Sequence, residues 1–189
     1  MGSIKEIAYM QKKKLHLGCG NIIKEGYVNV DVAPLAGVDV VADLTVFPWP
    51  FEDSSFDVVE LHNVLEHLPD VFRTMEELYR ISAPNGEVLI TVPYYNSLDY
   101  GSDPTHLHGF SQYSMNFLDE RTLAGKERPY YSKARFHVES IDYFNTLAFG
   151  KWMKVSNKIG RAVLGAFSYF LSNIIRAMTF HLRAIKDKN

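Results

Sequence analysis

The sequence predicts an α/β fold built on one mostly parallel sheet. Three observations carry this. Seven short runs rich in Val, Leu or Ile alternate with turn residues and helical patterns. The first run ends in a glycine turn, Gly18-Cys19-Gly20. The second and third runs each end near an acid, Asp31 and Asp43.

The elements follow in order. Residues 3–13 read as a weak helix, and strands are expected at 14–18, 27–32 and 38–43, each bounded by Gly, Pro or Asp. "TVFPWPFEDSS" is a loop broken by Pro48 and Pro50. A buried strand is expected at 56–61. Val71, Met75, Leu78 and Ile81 recur at spacings of three and four, which predicts a helix over 70–82. "APNG" reads as a turn before a strand at 87–92. A polar, aromatic loop follows from Pro93 to about Gly109, and Ser111 can cap a short helix through Leu118. "FHVESIDYF" alternates as a strand. An apolar C-terminal helix is expected over 151–177 and a last, antiparallel strand over 178–186.

Composition sets limits. The 189 residues are enough for one domain with a real core, and 47% are apolar, which argues against disorder. The single cysteine, Cys19, excludes an internal disulfide framework and suits a reducing compartment. No apolar segment follows the N-terminal basic residues, so no signal peptide is expected and a cytoplasmic location is. The net charge of −2 is uneven: residues 151–189 carry +7 and the rest −9. An acidic body argues against a nucleic-acid platform, while the basic tail suits an anionic partner or membrane surface.

The glycine turn and the two acids form one constellation. Gly18 and Gly20 lack a Cβ, so the chain can turn tightly and a ligand can touch the backbone. A dinucleotide site needs a third glycine at position 23, which is Ile23, and a helix whose N-terminus meets the pyrophosphate. Only six residues, Asn21 to Gly26, separate Gly20 from Tyr27. A parallel crossover usually takes about a dozen or more. A ligand with a ribose and adenine but no phosphate loses less by this, and S-adenosylmethionine is one. Asp31 can accept both ribose hydroxyls, Asp43 the adenine amino group, and Leu44 can offer its backbone N–H. The three strand ends share one crevice at the carboxyl edge of a sheet, where ligands bind in open α/β folds.

"LHLGCG", "VNVD", "VVADL", "FPWPFEDSSFDVVELHNVLEHL" and "PNGEVLITVP" resemble the class I S-adenosylmethionine-dependent methyltransferases, in the group labelled methyltransferase type 11. The resemblance covers residues 14–118, the expected cofactor-binding core of a single domain over 1–189. It implies a Rossmann-like seven-stranded sheet, with the helices after strands 1 and 2 reduced here. It also implies that Gly18, Cys19 and Gly20 lie beneath the methionine moiety, that Asp31 holds the ribose, that Asp43 and Leu44 read the adenine, and that His62 and Asn63 line the sulfonium side. The family's usual acid two residues before the first glycine is His16 here. A compact subset linked to polysaccharide gene clusters shares the pattern, including "DPTH" followed two residues later by a basic residue, here His108. That likeness implies O-methylation of a small or saccharide acceptor.

A hydroxyl acceptor needs its proton taken, usually by a His or a carboxylate. "NVLEHLPD" offers Glu66 and His67, which as neighbours on one helical turn should not both face a pocket squarely. "SLDYGSDPTHLHGFS" gathers Asp103, His106 and His108 in a loop, where packing does not explain them. His106 is the first candidate base, with Asp103 beside it, and His67 the second. Tyr94, Tyr95 and Tyr100 are walls for a sugar ring. With Asp103 the histidines could also hold a metal, since imidazole and carboxylate suit divalent ions, but no H-x₃-H or similar spacing supports one and no metal ligand is assigned. Two other readings stay open: a non-catalytic S-adenosylmethionine or nucleoside-binding module, and a nicotinamide-dependent oxidoreductase.

In the C-terminal helix, Trp152, Val155, Ile159, Val163, Phe167 and Phe170 line a stripe that Leu164, Leu171 and Ile175 widen. Arg161 and Arg176 bracket fourteen residues, short of the roughly twenty a membrane span needs. Core burial on the sheet is expected. The alternatives are a peripheral membrane contact and a homodimer through this helix.

Overall fold

The computed structural model describes residues 12–148 and 151–186. Nearly all of the helix expected over 3–13 lies outside them, and Lys12 and Lys13 are not helical. One sheet of eight strands organises the chain, in the order β3-β2-β1-β4-β5-β8-β6-β7. The strands are β1 (Lys14–Leu17), β2 (Val28–Asp31), β3 (Val40–Val41), β4 (Phe56–His62), β5 (Ser82–Pro93), β6 (Phe136–Ala148), β7 (Lys151–Val155) and β8 (Ala177–Ala184). The first five are parallel. β8 inserts antiparallel between β5 and β6, and β7 pairs antiparallel with β6. The order reverses between β1 and β4, which opens a crevice at their carboxyl ends.

The expected α/β class and antiparallel last strand hold, with one strand more than the seven expected. "APNG" is part of β5, whose pairing with β4 is irregular and where Asn85 has φ 61°. No helix lies between β1 and β2, between β2 and β3, or between β3 and β4. Six residues after Gly20 leave no length for one, as the spacing predicts.

α1 (Val71–Ile81) starts where Asp70 caps it, accepting from Arg73 N at 2.9 Å. It buries Met75, Leu78 and Ile81 completely. These pack on the sheet face formed by Leu15, Leu17, Val59, Leu61, Val88 and Ile90, each 0% exposed. Burial of each such side chain contributes roughly 1.5–3 kcal/mol.

The expected helix over 151–177 divides. Its start is β7, and only Lys158–Phe167 is helical (α4; α2 is Leu98–Ser102 and α3 Leu123–Glu127). Asn157 ends the strand pairing and caps α4, accepting from Gly160 N at 2.7 Å. Core burial of this stretch holds only in part: Leu164 in α4 and Ile174 and Ile175 after it are buried, while Ile159 and Phe170 are 80% and 87% exposed. No helix among the described residues is long and apolar enough to cross a membrane.

Candidate functional site

β1 runs directly into the glycine turn. Gly18 and Gly20 have φ of 63° and 51°, the left-handed region that glycine adopts without a Cβ penalty. Cys19 N donates to Val30 O at 2.9 Å and fastens the turn onto β2. Gly20 N donates to Asp31 Oδ2 at 2.8 Å, and Ala33 N to Asp31 Oδ1 at 3.0 Å. The turn and the ribose-binding candidate are thus one hydrogen-bonded unit, and the half-buried carboxylate keeps lone pairs for a ligand. Cys19 is 3% exposed and burial pushes its thiol pKa up, so the side chain packs and is no nucleophile, which leaves its backbone to meet a ligand. Asp43 is exposed at the end of β3. Its Oδ1 accepts from Thr45 N and Thr45 Oγ1, which hold its pKa below the usual range. Leu44 is buried, and its carbonyl accepts from Trp49 Nε1 at 3.1 Å.

The end of β4 separates two candidates. His62 points to the sheet face opposite α1. Its Nδ1 lies 2.9 Å from Thr91 Oγ1, and its Nε2 lies 3.0 Å from Glu60 Oε2 and 3.0 Å from Lys24 Nζ. Both ring nitrogens are occupied there, so His62 belongs to a polar network and not to the crevice expected of it. Lys24, Tyr27 and His62 all reach Glu60. His62, then Lys24 and Tyr27, outweigh burial and hold the Glu60 carboxyl well below its ordinary range. Burial and Glu60 push Tyr27 up to about 12. Asn63, with φ 54°, turns the chain away from the sheet face and lines a cavity.

That cavity, about 340 Å³, is bordered by Asn63, Glu66, His67, Asp103 and His106 among others. Glu66 and His67 sit on a single 3₁₀ turn, Leu65–His67, and both face it, contrary to the expectation for helical neighbours. The 103–108 loop is fastened there because Leu107 N donates to Glu66 O at 2.8 Å. His106 Nδ1 lies 2.9 Å from Tyr100 O, while its Nε2 lies 4.0 Å from Glu66 Oε1 and 3.9 Å from Asp103 Oδ2. The His67 and His106 rings are 4.7 Å apart. Thr105 donors hold the Asp103 carboxyl below its ordinary range. Glu66 is 0% exposed, and burial pushes its carboxyl up to about 7. The sequence reading set it aside in favour of His67. The place of Glu66 at the cavity comes from complete burial beside the 103–108 loop, which no local sequence pattern signals.

A second cavity, about 500 Å³, is walled by Tyr94, Tyr95, Tyr100, Tyr113 and Tyr169. Tyr94 is a buried wall whose hydroxyl donates to Gln112 Oε1 at 2.8 Å. Tyr100 lines this cleft and also stacks on His106, with rings 5.7 Å apart and 13° from parallel. The three expected tyrosines therefore converge beside the base candidate. His108 does not join them: its Nε2 lies 3.3 Å from Pro69 O, so it braces the loop against the turn before α1.

Comparisons with known proteins agree with this architecture. Residues 23–90, which include Asp31, Asp43 and Glu66, match the family described as "Methyltransferase domain". The chloroplastic tocopherol O-methyltransferase of Arabidopsis thaliana is 32% identical over 71 residues, 38% of this chain and 19% of its own length. The chain covers 19%, 2% and 16% of the three curated relatives it matches. A SAM-dependent methyltransferase from Archaeoglobus fulgidus superposes with a TM-score of 0.60 at 19% identity, over 95% of this chain and 90% of that one. The [4+2]-cyclase SpnF has a TM-score of 0.56 at 15% identity, over 93% and 75%. The protein has the Rossmann-like fold of the S-adenosylmethionine-dependent methyltransferases.

Proposed function

We propose that the protein is an S-adenosylmethionine-dependent methyltransferase that O-methylates a small or saccharide acceptor. One observation carries the reading: the Gly20–Asp31 hydrogen bond of 2.8 Å, at the point where the strand order reverses, with no helix after the turn. An acid bound to a glycine turn suits a ribose, and the missing helix disfavours a pyrophosphate. The methyltransferase-domain match over residues 23–90 supports the same ligand. Cofactor contacts are assigned to Gly18, Cys19, Gly20, Asp31, Asp43, Leu44 and Asn63.

The acceptor is assigned to the tyrosine cleft, where Tyr94, Tyr95 and Tyr100 offer flat faces for a sugar or another ring. The likeness to a tocopherol O-methyltransferase supports a hydroxyl acceptor. Bound S-adenosylmethionine would supply an electrophilic methyl group to the acceptor oxygen, and its sulfur would leave with the C–S electron pair as S-adenosylhomocysteine. His106 Nε2 takes the hydroxyl proton, and the imidazolium formed is flanked by the carboxylates of Glu66 and Asp103, 4.0 and 3.9 Å away. His67 is the second base candidate. The exposed apolar residues of α4 and the segment after it, Ile159, Phe167 and Phe170, are assigned to contact with a membrane surface or a second copy.

Calorimetry with S-adenosylmethionine and S-adenosylhomocysteine tests the cofactor. Asp31→Ala should weaken binding by about 1–3 kcal/mol, the cost of orphaning buried hydroxyls. Unchanged affinity would move the ribose elsewhere. With an acceptor in hand, His106→Ala should lower turnover about a hundredfold or more with cofactor affinity intact. Loss of turnover in His67→Ala alone would reassign the base. Binding without transfer to any hydroxyl compound would identify a binding module.

A further inference from the structure

Glu66 is completely buried at the cavity wall, and neither of its carboxylate oxygens has a hydrogen-bond partner. Buried charges are paired or coordinate metals. One ligand atom from each of Glu66, His67 and His106 lies within 4.8 Å of the others. The hydrogen bonds behind the two imidazoles fix their tautomers. Tyr100 O can only accept, so His106 Nδ1 carries a proton and Nε2 is the atom that the neutral ring would offer a metal. Thr105 Oγ1 donates to Asp103 Oδ1 at 2.6 Å, so it accepts from His67 Nδ1 at 3.0 Å. His67 Nε2 is therefore the atom that its neutral ring would offer as well. One possible ligand atom from each of the three residues lies in this cluster, and Asp99, on another part of the wall, is paired with Arg176.

We propose that Glu66, His67 and His106 hold one first-row divalent cation, with Asp103 in reach as a fourth ligand. Two imidazoles and a carboxylate suit Zn²⁺, Fe²⁺ or Mn²⁺ more than Ca²⁺ or Mg²⁺. Each imidazole is oriented through its other nitrogen, by a backbone carbonyl or by a hydroxyl bound to a carboxylate, as metal-bound histidines are. Ligand atoms around an ion at about 2.1 Å lie at most about 4.2 Å apart. The 4.0 Å between His106 Nε2 and Glu66 Oε1 already meets this limit, and the widest pair, within 4.8 Å, closes by roughly half an ångström on loading. No sequence spacing could show the site, because Glu66-His67 and His106 lie on two separate segments.

The consequence for catalysis rests on the acceptor reading of this pocket. An ion here occupies the lone pair of His106. The ion would then polarise an acceptor hydroxyl bound in place of Asp103, whose freed carboxylate would take the proton as the oxygen takes the methyl group and the sulfur leaves with the C–S electron pair.

Metal-depleted full-length protein titrated with Zn²⁺ by calorimetry, and with Co²⁺ by visible absorption, tests the site without any acceptor. One ion per chain is expected, with a Co²⁺ band reporting nitrogen and oxygen ligands. Glu66→Gln keeps the shape and removes a buried unpaired charge, so it folds, and it should bind Zn²⁺ at least tenfold more weakly. His67→Gln should do the same, and His181→Gln, whose ring pairs with Asp142 elsewhere, should not. Wild-type affinity in Glu66→Gln, or far less than one ion per chain, overturns the proposal. His106-dependent turnover that survives chelation in a protein binding no ion overturns the ion site and leaves the methyltransferase reading intact. One bound ion in a protein with no affinity for S-adenosylmethionine upholds the site and overturns that reading.

Discussion

Gly18→Ala should be among the costliest single-methyl changes in the protein, and its cost divides into two parts that can be measured apart. At φ 63° an alanine enters the left-handed region, at roughly 1–2 kcal/mol. Its Cβ would also lie 2.3 Å from Val64 Cγ2 and 3.2 Å from Cγ1. Carbon atoms rest at about 3.5–4.0 Å, so more than an ångström of overlap must be relieved. Val64 is β-branched and stiff at χ1, and such overpacking costs about 1–3 kcal/mol. The total is about 2–5 kcal/mol, a large share of a typical stability of roughly 5–15. Gly20 provides the control. Its φ is 51°, but nothing lies within 4 Å of an added Cβ, so Gly20→Ala should cost only the roughly 1–2 kcal/mol of backbone strain. Urea unfolding followed by circular dichroism gives the values. In a Val64→Ala background the excess cost of Gly18→Ala should disappear, giving a coupling of about 1–3 kcal/mol. If Gly18→Ala costs no more than Gly20→Ala, or if Val64→Ala brings no relief, the glycine turn does not touch the segment leading to Glu66 as described.

Two further outcomes concern the frame around the site. Glu77, 6% exposed, accepts from Trp49 N at 2.8 Å and from Arg80 Nη2 at 2.8 Å. Glu77→Ala orphans Trp49 N while Arg80 keeps Asp53 and two carbonyls, so it should cost about 1–3 kcal/mol in urea unfolding, and no measurable loss would mean water replaces the carboxylate. Glu60 has its folded pKa depressed, first by His62. As pH falls, the unfolded chain binds this proton before the folded one does, so the contribution of Glu60 is present above the ordinary glutamate range and is lost as pH falls through the folded value. Unfolding midpoints below about pH 5 should therefore fall more steeply for the wild type than for Glu60→Gln, and parallel curves would remove Glu60 from the network.

The legible parts of the fold were those where local chemistry and tertiary context agree. α1 has its cap, its 3.6-residue stripe and a sheet to bury it on, and it matches the expected span within a residue at each end. The glycine turn and Asp31 were legible because the short connection left few ways to join two parallel strands. The C-terminal stretch misled because its apolar stripe was read continuously across Ser156-Asn157, a turn and cap signal that splits it into β7 and α4. Residue type and position place Asp31 at the glycine turn, and Asn63, His67, Asp103 and His106 line one cavity. His62 and His108 were over-read: each is a histidine beside the site whose ring is engaged elsewhere. Glu66 was under-read because its importance comes from burial, which residue type alone does not reveal.

The absence of the first crossover helices is written into the strands themselves. A right-handed crossover from β1 to β2 and from β2 to β3 would lay helices on the face opposite α1, because those steps move away from β4. Parallel strands covered on both faces read as continuous apolar runs. Here they alternate. On the α1 side stand Leu15, Leu17, Val59, Leu61, Val88 and Ile90. On the other side the register aligns His16 with Asn29 and Glu60, and His62 with Thr91 and Thr179. Four of these side chains satisfy one another, as His62 meets Glu60 and Thr91 and Thr91 Oγ1 lies 2.7 Å from Thr179 Oγ1, while His16 Nδ1 is buried without a hydrogen-bond partner. Lys24 and Tyr27, from the short connection itself, close over Glu60. A polar ladder thus does the work of the absent helices at the level of hydrogen bonds, without burying apolar area. The same shortening leaves the turn after Gly20 without a helix N-terminus, which is what separates a nucleoside ligand from a pyrophosphate. The open sheet face beside β1 and the proposed preference for a nucleoside therefore share one cause, the six residues between Gly20 and Tyr27.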